Sequence, residues 1–189
     1  MDLHIFMEYI KTAIDGLWII EPKVFGDHRG YFFESWRQTD FDEHVGRHVV
    51  FVQDNESMSM RGVLRGLHYQ KGAFSQAKLV RVIQGCVFDV AVDIRRSSPT
   101  FGKYVAVELS EENKRQFFIP RGFAHGFMVM SETAIFTYKV DNTYAPQAEA
   151  GIRWDDEDIG IQWALSREEL LLSDKDKCHP SLKDAVVFD

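Results

Sequence analysis

The sequence is poor in cysteine and proline and contains no long apolar run. It has two cysteines and five prolines among 189 residues, and neither Cys86 nor Cys178 lies in a Cys-x-x-Cys or other metal-ligand spacing. A disulfide framework is unnecessary at this length, so we expect reduced thiols and a cytoplasmic location. No apolar run approaches the roughly 20 residues that a membrane helix needs. The first ten residues lack the basic segment of a signal peptide, so no membrane association is expected.

Basic charge is also scarce, and the common nucleotide motifs are missing. The formal net charge of −7 argues against non-specific binding to nucleic acid or to an anionic membrane. The chain has no Gly-x-Gly-x-x-Gly, Walker or Gly-x-Ser-x-Gly motif, so dinucleotide redox chemistry and nucleotide hydrolysis lack support. An acidic protein can still bind a phosphorylated ligand if its arginines and lysines gather at one site.

Short apolar segments and aromatic residues are abundant instead. Aromatic residues make up 13% of the chain, with 15 Phe, which fits a β-rich core. Predicted strands cover residues 17–20, 31–36, 49–53, 63–64, 78–83, 85–94, 104–109, 116–119, 127–130 and 133–140. Their spacing, about 8–12 residues with turn residues between them, predicts an all-β jelly-roll barrel. Residues 39–46 should form a helix that Thr39 or Asp40 caps and Gly46 ends.

The chain reads as one domain over residues 1–189, with no repeat, linker or low-complexity segment. Residues 1–10 look like an extension. Residues 166–189 form a charged tail, helical or loop-like, that could return over the mouth of the barrel. The Asp155-Asp156 pair is expected in a solvated turn.

Two histidines stand at the ends of short predicted strands. Arg65 and His68 are three residues apart, so on a strictly extended strand they would face opposite ways. Gly66 between them could supply a bulge that turns both inward. His125 follows a Pro-x-Gly turn. An imidazole titrates near neutrality, so a converging pair of histidines would suit proton transfer, although a lone strand histidine is more often structural.

Residues 85–94 should present Asp89 on one face with Val87, Ala91 and Asp93, either paired to a base or at the edge of a pocket. Tyr138, on a late strand, could act as an acid or simply pack in the core. The other histidines, His4, His28, His44, His48 and His179, have no context that suggests convergence. His68 and His125 alone cannot supply the several ligands that a metal requires, so we predict no catalytic metal.

Eight ordered blocks carry a resemblance to a known family. They are Phe25-Gly-Asp-x-Arg-Gly-Tyr-Phe-Phe-Glu34, Phe51-Val-Gln-Asp-Asn55, Val63-Leu-Arg-Gly-Leu-His-Tyr-Gln70, Lys78-Leu-Val-Arg81, Val87-Phe-Asp-Val-Ala-Val-Asp-Ile-Arg95, Ser98-Pro-Thr-Phe-Gly102, Ile119-Pro-x-Gly-Phe-Ala-His-Gly-Phe127 and Gly151-Ile-x-Trp154. Together they resemble the dTDP-4-dehydrorhamnose 3,5-epimerase family, which consists of cofactor-independent, metal-free cupins that usually form dimers. The likeness runs from about residue 10 to residue 176, so a cupin-type barrel with a few short peripheral helices, no cofactor and a homodimer are implied.

The resemblance also implies residue roles. His68 would be the base, oriented by Asp176 and supported by Asp89, Tyr138 the acid across the sugar ring, and Lys78 the group near the C4 oxygen. The implied substrate-binding residues are Arg29, Glu34, Gln53, Asp54, Asn55, Arg65, Lys78, His125, Tyr144, Glu149 and Lys175. The implied substrate is a dTDP-linked 4-keto-6-deoxy sugar.

The chemistry agrees with these roles. Protons at C3 and C5 flank a ketone, so removal from one face and return from the other need two opposed groups and an enolate stabiliser. In one respect the chain departs from the family, because Thr143 stands where an aromatic residue often stacks on thymine, and Tyr144 should point the other way on an extended backbone. A single-site epimerase of a related sugar and a non-catalytic sugar-nucleotide-binding cupin remain alternatives.

Overall fold

A computed structural model describes residues 7–189, and short strands dominate it. The strands are β1 (Met7–Lys11), β2 (Trp18–Pro22), β3 (Phe25–Asp27), β4 (Gly30–Phe32), β5 (Gln53–Met60), β6 (Leu64–Gln70), β7 (Lys78–Gln84), β8 (Cys86–Asp93), β9 (Tyr104–Ser110), β10 (Gln116–Ile119), β11 (Phe123–Val129), β12 (Thr133–Val140) and β13 (Glu149–Gly151). One α-helix, α1 (Gln38–Val45), and 3-10 turns at Gly72–Phe74, Pro146–Ala148, Arg167–Glu169 and Asp176–Cys178 complete the described residues. The expected extension lies partly outside them, as does His4, and its last residues belong to β1.

The strands form two facing antiparallel sheets and one hairpin. The six-stranded sheet has the order β1-β2-β10-β7-β12-β5, the five-stranded sheet has the order β13-β6-β11-β8-β9, and β3 pairs with β4. Among the described strands no ladder joins the two sheets, so the barrel is a sandwich of two sheets and not one closed ring. The expected all-β class is confirmed. No helix in the described residues is long and apolar enough to cross a membrane.

The space between the sheets is apolar at one end. Val80 and Phe136 of the six-stranded sheet pack there against Val87 and Phe127 of the five-stranded sheet. On β8, Val87 and Ala91 belong to this central core, whereas Val90 and Val92 belong to a second cluster on the outer face. The alternation predicted for residues 85–94 is therefore confirmed, and it turns Asp89 toward the interior.

Helix α1 confirms the prediction for residues 39–46 except at its start. Phe41 and Val45 are buried, and Gly46 ends the helix in the left-handed region at φ 71°. Arg37 occupies the N-cap position in an extended conformation, and Asp40 lies in the first turn. An acidic residue there is favoured by the positive end of the helix dipole, which explains its position without a capping role.

The strand predicted over residues 49–53 is wrong. The chain enters a strand only at Gln53 and stays in it to Met60. This strand, β5, is an edge strand that reads as polar, so hydrophobic alternation gives no signal for it. The apolar segment before it contributes Val49 to a cluster with Phe41 and leaves Val50 and Val52 exposed.

Residues 166–189 were expected over the mouth of the barrel, and they return to the five-stranded sheet, where Leu182 and Ala185 pack on its outer face. Leu171 forms a bridge with Val63, and the 3-10 turn that begins at Asp176 contacts β6. The solvated turn expected at Asp155-Asp156 is partly wrong. The carboxylate of Asp156 is buried and accepts the backbone N–H groups of Ile159 and Leu182, so it anchors the tail.

Candidate active site

A backbone irregularity at Gly66 brings Arg65 and His68 to the same face of β6. The register of β6 against β11 shifts between His125 and Phe127. Gly66 has φ +142°, and a Cβ atom there would lie 2.5 Å from the Cα atom of Gly126, so the two strands cross too closely for any side chain. The predicted bulge is confirmed, and Arg65 Nε reaches Ser59 Oγ at 3.1 Å across the interior.

His68 forms a close pair with Asp176. The Nε2 atom of His68 lies 2.5 Å from Oδ1 of Asp176, and the His68 side chain is 29% exposed while that of Asp176 is buried. Burial raises the pKa of Asp176, but the hydrogen bonds from His68 and Ser173 outweigh it and hold that pKa below its usual value. Since Nε2 carries the proton donated to the carboxylate, Nδ1 is the acceptor nitrogen of the neutral ring.

A second pair, His125 with Asp89, lies next to the first. His125 is directly opposite His68 in the β6–β11 ladder, and its Nε2 atom lies 2.9 Å from Oδ2 of Asp89. Both side chains are buried, and burial lowers the pKa of His125. The expectation that Asp89 supports His68 is wrong, because β11 separates β8 from β6 and its histidine takes the carboxylate.

The opposite wall of the site belongs to the six-stranded sheet. Tyr138 pairs with Asn55 in the β12–β5 ladder, and Val140 pairs with Lys78 of β7 and Gln53 of β5. These polar side chains share the face of Val80 and Phe136, so they point into the interior beyond its apolar end. Burial lowers the pKa of Lys78 to about 8, although the negative charges of Asp89 and Glu149 act to raise it. Burial raises the pKa of Tyr138.

Three more predicted residues meet at the rim. Lys175 of the tail forms an ion pair with Glu149 of β13, and the Tyr144 hydroxyl donates to Oε2 of Glu149 at 2.8 Å. Burial raises the pKa of Glu149, but the Lys175 and Tyr144 contacts outweigh it and lower that pKa. The ring of Tyr144 is exposed. The expectation that it would point away from the site is therefore wrong, because the 3-10 turn at Pro146–Ala148 brings Tyr144 and Glu149 together.

The structure does not bring every predicted residue to this group. Asp54 alternates with Gln53 and Asn55, so it lies on the outer face of β5, where it binds Nζ of Lys139 at 3.0 Å. Arg29 lies between β3 and β4 with its side chain 78% exposed, and its carboxylate partner is Asp27. Glu34 pairs with Arg37 at 2.7 Å.

His179 was missed by the sequence analysis. Its Nε2 atom lies 3.7 Å from Oδ1 of Asp176, and its ring stands edge-on to the ring of His68 at 5.4 Å. Asp176 and His179 are three residues apart across a 3-10 turn, a spacing that places both side chains on one side. That Asp-x-x-His spacing was the available signal, although nothing in the sequence showed that the turn would face His68.

The site therefore holds a partly exposed imidazole backed by a buried carboxylate, a lysine of lowered pKa and a phenol on the facing sheet. Such a set can remove a proton, stabilise the negative oxygen that results and return a proton from the other side. The fold and the site together define a two-sheet β-protein equipped for acid–base proton transfer.

Comparison with known proteins gives the family. The family model described as dTDP-4-dehydrorhamnose 3,5-epimerase matches residues 11–184. A dTDP-4-dehydrorhamnose 3,5-epimerase from Salmonella typhimurium is 58% identical over 181 residues, which cover 96% of this chain and 98% of that protein. The chain belongs to the dTDP-4-dehydrorhamnose 3,5-epimerase family, a family of isomerases.

Two solved structures agree. The dTDP-6-deoxy-D-glucose-3,5-epimerase of Legionella pneumophila, in complex with dTDP-4-keto-L-rhamnose, has a TM-score of 0.91 and 52% identity, covering 94% of both chains. The dTDP-4-dehydrorhamnose 3,5-epimerase of Sulfolobus tokodaii has a TM-score of 0.88 and 44% identity, covering 98% of this chain and 100% of that chain. The expected cupin-type fold is thereby confirmed.

Proposed function

We propose that the protein inverts C3 and C5 of dTDP-4-dehydro-6-deoxy-D-glucose to give dTDP-4-dehydro-L-rhamnose, a step of dTDP-L-rhamnose biosynthesis. The observation that carries the proposal is the placement of His68 and Tyr138 on facing sheets. Inversion at a carbon next to a ketone requires a proton to leave from one face and another to arrive on the opposite face. Two opposed titratable groups meet that requirement.

The base is His68, acting through Nδ1. Its other nitrogen is held by Asp176 at 2.5 Å, so the carboxylate fixes the tautomer and stabilises the imidazolium that forms when the ring takes the C3 or C5 proton. Tyr138 then supplies the proton on the other face. Burial raises its pKa, so the phenol keeps its proton until the enolate is present.

Lys78 is the group that stabilises the C4 oxygen. His125 is a second histidine near this oxygen, but its Nε2 atom is bonded to Asp89, and the neutral ring then has only an acceptor at Nδ1. Lys78 has no such restriction, and its ammonium lies close enough to the pair for its charge to lower the pKa of His125. His125 and Asp89 therefore shape and polarise the site, while Lys78 contacts the enolate.

The remaining polar residues suit the nucleotide and the sugar. Arg65 and Lys175 supply positive charge for a diphosphate, while Gln53 and Asn55, linked at 2.8 Å, supply amide groups. The exposed Tyr144 ring offers a flat surface to a base at the rim. Thr143 turns its backbone carbonyl to Gln70 at 3.1 Å, which fixes the loop that carries Tyr144.

We also propose that the protein is a cytoplasmic homodimer. The outer face of β5, an edge strand, exposes Met58 and Met60, and the β3–β4 hairpin exposes Phe32, a combination that favours burial against a second copy. Arg29 sits on that hairpin, so a partner chain could receive it. Light scattering in solution should give twice the chain mass, and a monomer would contradict this part of the proposal. Two free cysteines fit a reducing compartment.

The test is exchange with solvent. The protein is incubated with dTDP-4-dehydro-6-deoxy-D-glucose in D2O, and C3 and C5 are followed by proton NMR. Wild-type protein should incorporate deuterium at both carbons with inversion. Tyr138→Phe should still exchange, since the base is intact, but inversion should fall about 100-fold or more. Exchange at one carbon would indicate a single-site epimerase, and no exchange would indicate a binding protein.

A further inference from the structure

His179 leaves a buried nitrogen without a hydrogen bond. Its Nε2 atom is inaccessible to solvent and has no hydrogen-bond partner among the described residues. The whole side chain is 10% exposed. Such an atom is costly to bury unless something binds it. The nearest acidic oxygen is Oδ1 of Asp176 at 3.7 Å, beyond hydrogen-bond distance.

The position of this ring is built into the fold. Gly151 lies opposite His68 in the β6–β13 ladder, and a Cβ atom at Gly151 would come within 2.6 Å of the His179 ring. Only glycine leaves room for the imidazole to stand beside the His68–Asp176 pair. The 3-10 turn fixes the His179 ring relative to Asp176, because it places the two residues one turn apart.

Three ligand atoms converge as a result. The ligand atoms of His68, Asp176 and His179 all lie within 4.8 Å of one another, and no other three His, Cys, Asp or Glu residues in the described chain come together in this way. Two imidazoles and one carboxylate form a ligand set that Zn²⁺ uses in catalytic sites with an open fourth position.

We propose that His68, Asp176 and His179 form a binding site for a divalent transition metal ion, with Zn²⁺ as the preferred ion. The ligands are Nε2 of each histidine and Oδ1 of the aspartate. Tetrahedral coordination at about 2.0–2.1 Å places ligand atoms about 3.3 Å apart. The two separations from Oδ1 of Asp176, 2.5 Å to His68 and 3.7 Å to His179, lie on either side of that value, so each of these two contacts needs a shift of less than 1 Å.

The ion replaces the proton on Nε2 of His68, and the neutral ring then carries its proton on Nδ1, so the free acceptor nitrogen of the base is lost. Ions can enter from the cavity, where the His68 side chain is 29% exposed. His179 also lines a cleft of about 320 Å3 with Trp154 and Asp155, which offers a second route of entry. Because the ion takes the nitrogen and the carboxylate that orient the base, it inhibits the enzyme, a consequence that rests on the proposed function.

The test measures binding and activity separately. Chelator-treated full-length protein is titrated with Co²⁺, whose visible spectrum reports tetrahedral coordination, and with Zn²⁺ against a chromophoric chelator. We expect one ion per chain and inhibition of epimerisation that excess chelator reverses. His179→Leu should weaken Zn²⁺ binding at least 10-fold, and His179→Gln provides a second variant if the first does not fold by circular dichroism.

The matched control is His48→Leu. His48 lies 2.6 Å from Asp42 in an exposed pair without a third ligand, so Zn²⁺ affinity should not change. Equal affinity in wild type and His179→Leu would show an adventitious ion only and overturn the site, as would no stoichiometric binding. A wild-type protein that binds Zn²⁺ without epimerising supports the metal site and contradicts only the proposed function. A wild-type protein that epimerises but does not bind Zn²⁺ overturns only the metal site.

Discussion

The molecule contains two aspartate–histidine pairs that stand side by side and are built differently. In the first, His68 of β6 meets Asp176 of the tail, 108 residues later, and its side chain is 29% exposed. In the second, His125 of β11 meets Asp89 of the neighbouring strand, and its side chain is 8% exposed. The chemistry of the two contacts is the same, but the first histidine is the more accessible to a substrate.

This difference shows how a fold assigns roles to similar groups. His125 lies opposite Ala91, and Asp89 is two residues further along β8 on the same face, so the second pair is a diagonal cross-strand contact made wholly within the sheet. The first pair needs the 3-10 turn of the tail to reach β6, and the His68 ring stays partly exposed. Contact with the cavity, and not the carboxylate partner, therefore distinguishes a base from a positioning group.

The largest expected effect separates the two pairs by activity. His68→Ala should lower kcat for epimerisation about 1,000- to 10,000-fold, because no other side chain in the described chain replaces its free Nδ1. The free energy of unfolding should fall by about 1–3 kcal/mol, because the buried carboxylate of Asp176 loses a hydrogen bond. Epimerisation is measured by NMR and unfolding by urea titration. Normal turnover in a folded His68→Ala protein would refute the base assignment.

Much of this site could be predicted from sequence because its residues belong to strands with regular alternation. Period-two alternation alone grouped Asp89 with Val87 and Ala91 on one face of β8, and Gly66 predicted the bulge that turns Arg65 and His68 the same way. The opposed roles of His68 and Tyr138 came from resemblance to a family, since spacing alone does not reveal which sheets face each other.

Sequence reasoning failed where long-range closure decides the outcome. His179 became part of the site only because the tail folds back to β6, and no local pattern states where a tail docks. Strand β5 was misplaced because its inner face is polar, as a strand that lines a polar cavity must be. Asp89 was assigned to the wrong histidine because the order of β6, β11 and β8 is a property of the sheet.

The next effect concerns Lys78, whose ammonium acts on the second pair. Burial lowers its pKa to about 8, so the cation is present below that pH and is lost as pH rises through it. We expect kcat/KM to decline above about pH 8. Lys78→Met should remove this decline, the alkaline limb of the pH profile, and lower kcat about 100- to 1,000-fold. Lys78→Arg, which stays charged, should move the limb upward, and an unchanged limb in both variants would assign it to another group.

The smallest effect is on the pH dependence of stability, and it comes from the burial of the second pair. Burial lowers the pKa of His125 in the folded protein, so both states hold a neutral ring at high pH, while the unfolded chain binds a proton first as pH falls. Its stabilising contribution is complete above about pH 6.5 and declines below it, by at most about 1.4 kcal/mol per pH unit. Urea titrations between pH 7.5 and about pH 5 should show that the free energy of unfolding falls less steeply in His125→Asn than in wild type. A slope for His125→Asn equal to that of wild type would contradict the assignment of this pH dependence to the buried pair.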